Sequence, residues 1–141
     1  MNRPATLTEV ARRRNDDEEF GGLVSEFLDT FYGLLQRDPA AAQAAIDAEP
    51  AELADQNQHA LLGAIGEHLA RRWNLTIPGW TNNRSRFLSR PHFTTHLDGF
   101  KAMMLAQSPL AFRRRLIFTE AEPLRRARMP RLPLPHQRAA S

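Results

Sequence analysis

The chain of 141 residues contains no cysteine, which excludes several classes of chemistry at once. Disulfide frameworks, cysteine nucleophiles, zinc fingers and iron–sulfur sites all depend on thiol groups. The sequence also lacks any stretch near the roughly 20 apolar residues that a membrane span needs. Residues 1–14 contain no apolar run of signal-peptide length. We therefore expect a cytoplasmic protein that is neither secreted nor embedded in a membrane.

Signatures of catalysis are missing as well. No Gly-x-Ser-x-Gly turn is present to expose a nucleophile. The pair Gly21-Gly22 follows four acidic residues, 16–19, which would repel a phosphate group. A helix that begins there is a sufficient reason for these carboxylates, because negative charge stabilises the positive N-terminal end of a helix. We predict that the protein is not an enzyme, has no catalytic residue and uses no cofactor.

Two histidines are the candidates for metal ligands. His92 and His96 stand four residues apart with Asp98 nearby, a spacing that on a helix offers two imidazoles and a carboxylate to one ion. Thr94 and Thr95, however, lower the helix propensity between them, and no further ligand is evident. Structural or solvent-facing histidines are therefore the favoured interpretation, and we predict no metal site.

The spacing of apolar residues predicts an all-α fold. We expect a compact helical domain of about four to six helices, with a long ordered loop and a flexible basic C-terminal tail. The predicted helices span residues 7–14, 20–36, 40–48, 55–73 and 97–107, with a short helix after Pro109. The predicted organisation is an N-terminal helix or arm over 1–15, a single helical domain over 16–127 and a Pro/Arg tail over 128–141.

Several local expectations accompany these helices. Gly21 and Gly22 each cost about 1 kcal/mol relative to alanine inside a helix, so a helix start after them is the alternative to a start near Phe20. In the helix over 55–73, the spacing assigns Glu67 to the solvent side. Ser108 is expected to be an N-cap. The β-prone run over 116–119 is too short to make a sheet by itself.

The segment over 74–96 interrupts the helical pattern but keeps large apolar residues. We expect an ordered loop that is pinned to the core. Trp80, Phe87 and Phe93 either anchor this loop or form a recognition surface for a partner, since aromatic residues serve both purposes. The sequence does not decide between the two, so these three residues are candidate partner contacts.

Positive charge is concentrated at the C-terminus. Residues 1–112 carry 11 Lys and Arg against 14 Asp and Glu, whereas residues 113–141 carry eight Arg against two Glu. A basic end of this kind is often simply solvated, but it also suits nucleic acid or an acidic partner. The candidate nucleic-acid-binding residues are Arg125, Arg126, Arg128 and Arg131.

Arg113, Arg114 and Arg115 form the sharpest local feature of the basic end. Three consecutive arginines cannot all point the same way, so at least one is expected to pack its stem or pair with Glu120 or Glu122. The others would present guanidinium groups that suit carboxylate or phosphate. No helix-turn-helix pattern accompanies them. We therefore predict a role in partner binding ahead of direct nucleic-acid contact.

A series of motifs over about residues 20–127 resembles a family of small bacterial proteins that are often encoded beside nucleotidyltransferase-like proteins in toxin–antitoxin pairs. The motifs are Glu26-Phe27-Leu28-Asp29, Phe31-Tyr32, Glu67-His68-Leu69-Ala70-Arg71-Arg72, Ile77-Pro78-x-Trp80, Phe87-Leu88, Pro91-x-Phe93 and Ser108-Pro109-x-Ala111-Phe112-Arg113-Arg114-Arg115-x-Ile117-Phe118. The resemblance implies an antitoxin-like or regulatory protein that binds and neutralises a toxin-like partner. The alternative is a small nucleic-acid-binding regulator that uses the basic C-terminus.

Overall fold

A computed structural model describes residues 2–95 and 98–131 of the chain. Over these residues the fold is all-α, as the apolar spacing predicts, with six α-helices and one short pair of parallel strands. The elements in chain order are α1 (Leu7–Asn15), α2 (Phe20–Arg37), α3 (Pro39–Asp47), α4 (Gln56–Arg72), β1 (His92–Phe93), α5 (Lys101–Gln107), α6 (Leu110–Arg113) and β2 (Ile117–Phe118). Among the described helices, none is long and apolar enough to cross a membrane.

The helix starts follow from capping residues that the sequence makes visible. The Thr6 hydroxyl accepts the Glu9 amide at 3.1 Å and caps the start of α1. The Asp38 carboxylate accepts the Ala41 amide at 3.2 Å and starts α3, whose first residue is Pro39. A single residue, Asp38, thus separates α2 from α3.

Helix α2 begins at Phe20 and includes both glycines, so a start after Gly22 is wrong. The Glu19 carboxylate is the reason. It accepts the amides of Gly21 and Gly22, which would otherwise have no partner in the first turn. This capping offsets the low helix propensity of glycine.

Helix α4 is buried on almost every side and forms the centre of the domain. Helix α6 and the segment over 79–86 pack against it. Gly63 and Gly66 allow this close approach, because a Cβ atom on Gly63 would lie 2.9 Å from Arg86 Cβ and one on Gly66 would lie 3.0 Å from the Trp80 ring. Glu67 is only 1% exposed, so its predicted place on the solvent side is wrong.

The loop after α4 is ordered over its described residues, as predicted. Two short 3-10 turns, Gly79–Asn82 and Arg84–Arg86, carry it across α4. The Trp80 indole donates to the Ile46 carbonyl at 3.0 Å and fixes the first turn to α3. His96 and Leu97, at the end of the predicted loop and the start of the predicted helix over 97–107, lie outside the described residues.

The expected N-cap role of Ser108 is wrong. Its hydroxyl accepts the Thr119 amide at 2.8 Å and lies against the carbonyl oxygens of Met104 and Thr119, so it joins α5 to the end of β2. The β-prone run also finds a partner that its length did not predict: Ile117 and Phe118 pair in parallel with His92 and Phe93. Each strand of this ladder is two residues long.

The segment after β2 returns to α2. The Tyr32 hydroxyl donates to the Leu124 carbonyl at 2.7 Å, and Arg126 donates to both oxygens of Asp29 at 3.0 and 2.9 Å. Met129 packs on the core and Pro130 is buried. The expected boundary between domain and tail at residue 128 falls inside this packed segment. Residues 132–141, the rest of the predicted tail, lie outside the described residues.

Candidate functional site

The arginine triplet after Phe112 turns partly into the protein. Arg115 is fully buried, and its Nη1 donates to Glu67 Oε1 at 2.7 Å and to the Ala111 carbonyl at 2.8 Å. Its Nη2 donates to the Thr81 carbonyl. Arg115 therefore pairs with Glu67 of α4, and not with Glu120 or Glu122 as the sequence suggested. It is not available to a partner protein.

Glu67 is the centre of a buried ionic cluster. Besides Arg115, it accepts Arg71 Nε at 2.7 Å and Arg114 Nη1 at 3.3 Å. Burial by itself raises the pKa of Glu67, but the hydrogen bonds from Arg115 and Arg71 outweigh burial and hold the pKa below its ordinary value. The carboxylate is therefore ionised in the folded protein and ties α4 to α6.

The candidate aromatic residues contact these arginines. The Phe87 ring centre lies 4.5 Å from Arg115 Cζ and 5.1 Å from Arg114 Cζ. The Trp80 ring centre lies 5.0 Å from Cζ of the buried Arg86. Such cation–π contacts are stronger where water is excluded. Three of the six candidate partner residues, Phe87, Arg114 and Arg115, thus contact one another, whereas Trp80 contacts Arg86. These contacts hold the loop onto α4 and the end of α6.

The two remaining candidates have different surroundings. Arg113 is exposed at the end of α6. Phe93 is half-buried and stacks on Phe118 with ring centres 5.1 Å apart, while Lys101 Nζ lies 5.5 Å from its ring centre. Of the triplet, Arg113 is the residue whose side chain is most open to a partner, because Arg114 also binds Asn82 Oδ1 at 3.0 Å.

A histidine–serine pair lies beside this cluster and could be mistaken for a nucleophile with its base. His59 Nε2 is 3.1 Å from Ser85 Oγ. The other ring nitrogen, Nδ1, faces two donors, the Leu53 amide at 3.3 Å and Arg86 Nη1 at 3.2 Å. Since Nδ1 must accept, Nε2 carries the hydrogen and donates to the serine. Burial, followed by the charge of Arg86, lowers the pKa of His59, so the ring stays neutral and is no proton acceptor for Ser85.

The candidate metal ligands divide between described and undescribed residues. His92 lies in β1, where its amide donates to the Leu116 carbonyl at 2.8 Å. Over residues 2–95 and 99–131, no three His, Asp or Glu side chains come close enough to hold a metal ion, and the side chain of Asp98 lies outside this description. His96 lies outside those residues.

An apolar groove opens between α2, α4 and α5 and has a volume of about 510 Å³. Val24, Leu61, Ile65 and Phe112 form its floor, and Met103 forms part of one wall. The volume lies within the range of sites that hold small molecules or side chains of a partner. The described part of the protein thus contains a concave apolar surface that the fold itself does not fill.

Helix α5 extends this groove with apolar residues that solvent reaches. Phe100 just before it is 44% exposed, and Met103 and Leu105 within it are 36% and 49% exposed. A helix that is apolar all round is normally buried on all sides. Met104 is the buried residue of α5, so no element among the described residues covers most of this helix.

Acidic groups border the groove. Glu120 lines it and is exposed, and Glu19 directly precedes Phe20 and Gly21, which also line it. Glu18, one residue earlier, is bound to Arg13 at 2.7 Å. The rim near the start of α2 therefore favours a ligand whose apolar part is flanked by positive charge.

The candidate nucleic-acid-binding arginines lie along the segment that returns to α2. Arg125, Arg128 and Arg131 are exposed, whereas Arg126 is held by Asp29. The hydrogen bonds with Arg126 hold the pKa of Asp29 below its ordinary value. Three of the four candidates are therefore free to bind an anion, and the fourth fixes their position.

Sequence reasoning missed the groove. The available signal was the composition of residues 101–107, where Ala102, Met103, Met104, Leu105 and Ala106 leave no polar face. An ordinary amphipathic helix packs one apolar face on the core. The segment over 101–107 is apolar on nearly every side, so the core covers only some of its apolar residues.

No protein-family model, curated protein or solved structure matches this chain.

Proposed function

We propose that this protein is a non-catalytic, antitoxin-like protein that binds a partner protein through the apolar groove and helix α5. The single observation that carries this proposal is the open groove of about 510 Å³ beside a helix with exposed apolar residues. Contiguous exposed apolar surface with a polar rim is characteristic of protein-binding sites. The toxin-like, nucleotidyltransferase-like identity of the partner follows from the motif resemblance and is part of the proposal.

The chemistry of the groove narrows the kind of partner segment. Its floor accepts aliphatic and aromatic side chains, and methionines such as Met103 adapt to the shape of what they contact. The exposed carboxylate of Glu120 and the neighbouring Glu19 complement lysine or arginine next to the apolar residues. We infer that an apolar segment with basic flanks is the part of the partner that enters the groove.

The groove takes the place that the arginine triplet and the aromatic loop had in the sequence prediction. Arg115 and Trp80 are buried, and Arg114 and Phe87 contact each other. Arg115 and Trp80 are therefore not accessible to a partner, and Arg114 and Phe87 are engaged within the protein. Arg113 keeps its proposed role as an exposed contact at the edge of α6.

Two titratable groups near the arginine triplet are engaged within the protein. Neutral His59 donates to Ser85, and Glu67 is enclosed by arginines. A catalytic acid or base must reach a reacting atom within hydrogen-bond distance. These buried groups reach only protein atoms.

The test is co-purification. The tagged protein is purified from its own host with and without nuclease, and is also co-expressed with the product of the neighbouring gene, followed by size-exclusion chromatography. We expect a stoichiometric protein complex that resists nuclease. Absence of a protein partner in both experiments contradicts the proposal.

Matched variants localise the surface. Met103→Glu places a charge in the groove, whereas Leu110→Glu places the same charge on a residue that is 53% exposed and does not line it. Burying an unpaired carboxylate in an apolar interface costs several kcal/mol, so Met103→Glu should weaken the complex at least tenfold. Equal binding by the two variants rejects the groove as the docking site.

A further inference from the structure

The segment over 124–131 alternates residues that anchor it with arginines that project outward. Leu124 and Pro130 are buried, and Arg126 is bound to Asp29. Arg125, Arg128 and Arg131 between and beyond these anchors are exposed. Two turns fix the backbone, because the Arg125 amide donates to the Glu122 carbonyl at 3.3 Å and the Met129 amide to the Arg126 carbonyl at 3.0 Å.

Helix α2 adds a further cation next to this segment. Arg37 and Arg128 together line a shallow depression of about 380 Å³, with the polar side chains of Thr30 and Gln36 beside them. A second depression of about 380 Å³ is lined by Arg125, Arg126 and Arg131 among others. No Asp or Glu is among the described residues that line either depression. We name Arg37, Arg125, Arg128 and Arg131 the arginine strip.

Asp29, a carboxylate beside the segment, is already paired. Asp29 receives two hydrogen bonds from Arg126, and Arg3 and Arg128 also lower its pKa. The strip is therefore a local surplus of positive charge, in a protein whose residues 1–112 are acidic overall.

We propose that the arginine strip binds the phosphate backbone of a nucleic acid. A guanidinium group donates two parallel hydrogen bonds that match the oxygens of a phosphate. Successive arginines on an anchored backbone present several such groups without the loss of freedom that a mobile tail would suffer on binding. Contacts of this kind bind without regard to base sequence.

Nucleic acid fits the strip better than a lipid surface does. Peripheral membrane binding normally combines cations with exposed apolar residues that enter the bilayer. The large exposed apolar residues of the described chain, Phe100, Met103, Leu105 and Leu110, belong to α5, α6 and the residue before α5, and none lines the two depressions. Ala127 and the half-buried Met129 are the apolar residues among those that line the two depressions, and neither is a large exposed side chain.

The experiment measures binding of the full-length protein to a fluorescein-labelled DNA duplex of about 20 base pairs, and to an RNA strand of similar length, as a function of salt. The test variant carries Arg125→Gln, Arg128→Gln and Arg131→Gln. The matched control carries Arg12→Gln, Arg84→Gln and Arg90→Gln, which removes the same charge from exposed arginines elsewhere. Arg126 is left unchanged because its pair with Asp29 anchors the segment.

We expect the test variant to bind about a hundredfold more weakly near 0.15 M salt and its salt slope to fall by about 2.7, since each lost phosphate contact removes about 0.9. The control should bind as the unmodified protein does. Equal weakening of both variants overturns the proposal, because binding would then depend on net charge alone. So does failure of the unmodified protein to bind either probe at low salt, or binding to phosphatidylserine vesicles without binding to nucleic acid.

Two further measurements keep the test decisive. Thermal unfolding of each variant shows whether the fold is intact, and the pair Arg37→Gln with Arg128→Gln replaces the triple variant if that variant unfolds. The groove variant Met103→Glu should bind the probes normally. The strip and the partner-binding groove can therefore fail separately.

Discussion

Replacing Gly63 with alanine probes the most crowded contact of the domain. An alanine Cβ would lie 2.9 Å from Arg86 Cβ and 3.1 Å from Arg115 Nε. Cβ of Arg86 cannot withdraw unless the backbone of the second 3-10 turn moves, and Arg115 is held by Glu67 at 2.7 Å. The substitution must therefore push apart the loop, α4 and α6.

The magnitude follows from two opposing effects. Alanine gains about 1 kcal/mol over glycine in helix propensity. Overpacking a close-packed interior costs about 1–3 kcal/mol, and displacement of Arg115 adds to it by weakening a buried ion pair. We expect Gly63→Ala to lower the free energy of unfolding by about 1–2 kcal/mol, which corresponds to a fall in Tm of about 3–6 °C for a domain of this size.

Gly33→Ala is the matched control. It lies inside α2, and the nearest atom to its new Cβ would be Nη2 of Arg37 at 3.8 Å, an ordinary contact with the end of a flexible side chain. Alanine there should raise the free energy of unfolding by about 0.4–1 kcal/mol. The assay is chemical denaturation of both variants. Stabilisation by both substitutions would refute the close approach of the two arginines to α4.

Two further predictions concern ionisation. Glu67→Leu should lower the free energy of unfolding by about 3–5 kcal/mol, because Arg115 is left buried without its partner, and the double variant with Arg115→Met should recover much of that loss in a denaturation cycle. Burial lowers the pKa of His68 from 6.5 to about 4. Above pH 6.5 the His68 imidazole is neutral in both the folded and the unfolded protein. Below pH 6.5 it is protonated first in the unfolded protein, so the free energy of unfolding falls as the pH falls from 6.5 towards 4. That contribution reaches about 2 kcal/mol at pH 5, and a wild-type curve that runs parallel to that of His68→Gln between pH 7 and pH 5 would contradict it.

The helices were predictable because their signals are local. A threonine, an aspartate or a proline at a helix start acts on amides within three residues, so Thr6, Asp38 and Pro39 identify their helices from the sequence alone. Helix propensity alone does not locate the start of α2. The two glycines at positions 21 and 22 argue against a helix there, but the Glu19 cap compensates for them.

The buried ionic cluster was not predictable from spacing. Glu67 lies 48 residues before Arg115, and only the fold brings them together. A charged residue in a helix is normally assigned to solvent, since an unpaired charge inside a protein is very costly. This pairing buries Arg115, and a hydrogen bond to the Ile46 carbonyl fixes Trp80 against α3. Of the two roles that the sequence left open for Trp80, the structure thus shows an anchor of the loop. Aromatic residues and arginines mark interfaces of either kind, between proteins or within one.

Helix α2 separates the groove from the arginine strip. Val24 lines the groove and Gly33 lines the depression beside Arg37. Nine residues correspond to about 900° of helical rotation, or half a turn out of phase, and to about 13 Å along the axis. The two surfaces therefore face different directions from one rigid element. Leu124 also lines the groove and directly precedes Arg125, so the strip meets the groove at that end. A partner protein in the groove leaves Arg37 and Arg128 open, because they line the depression beside Gly33. A DNA or RNA probe should therefore still bind the purified complex, with a salt slope that is smaller by no more than the contribution of Arg125.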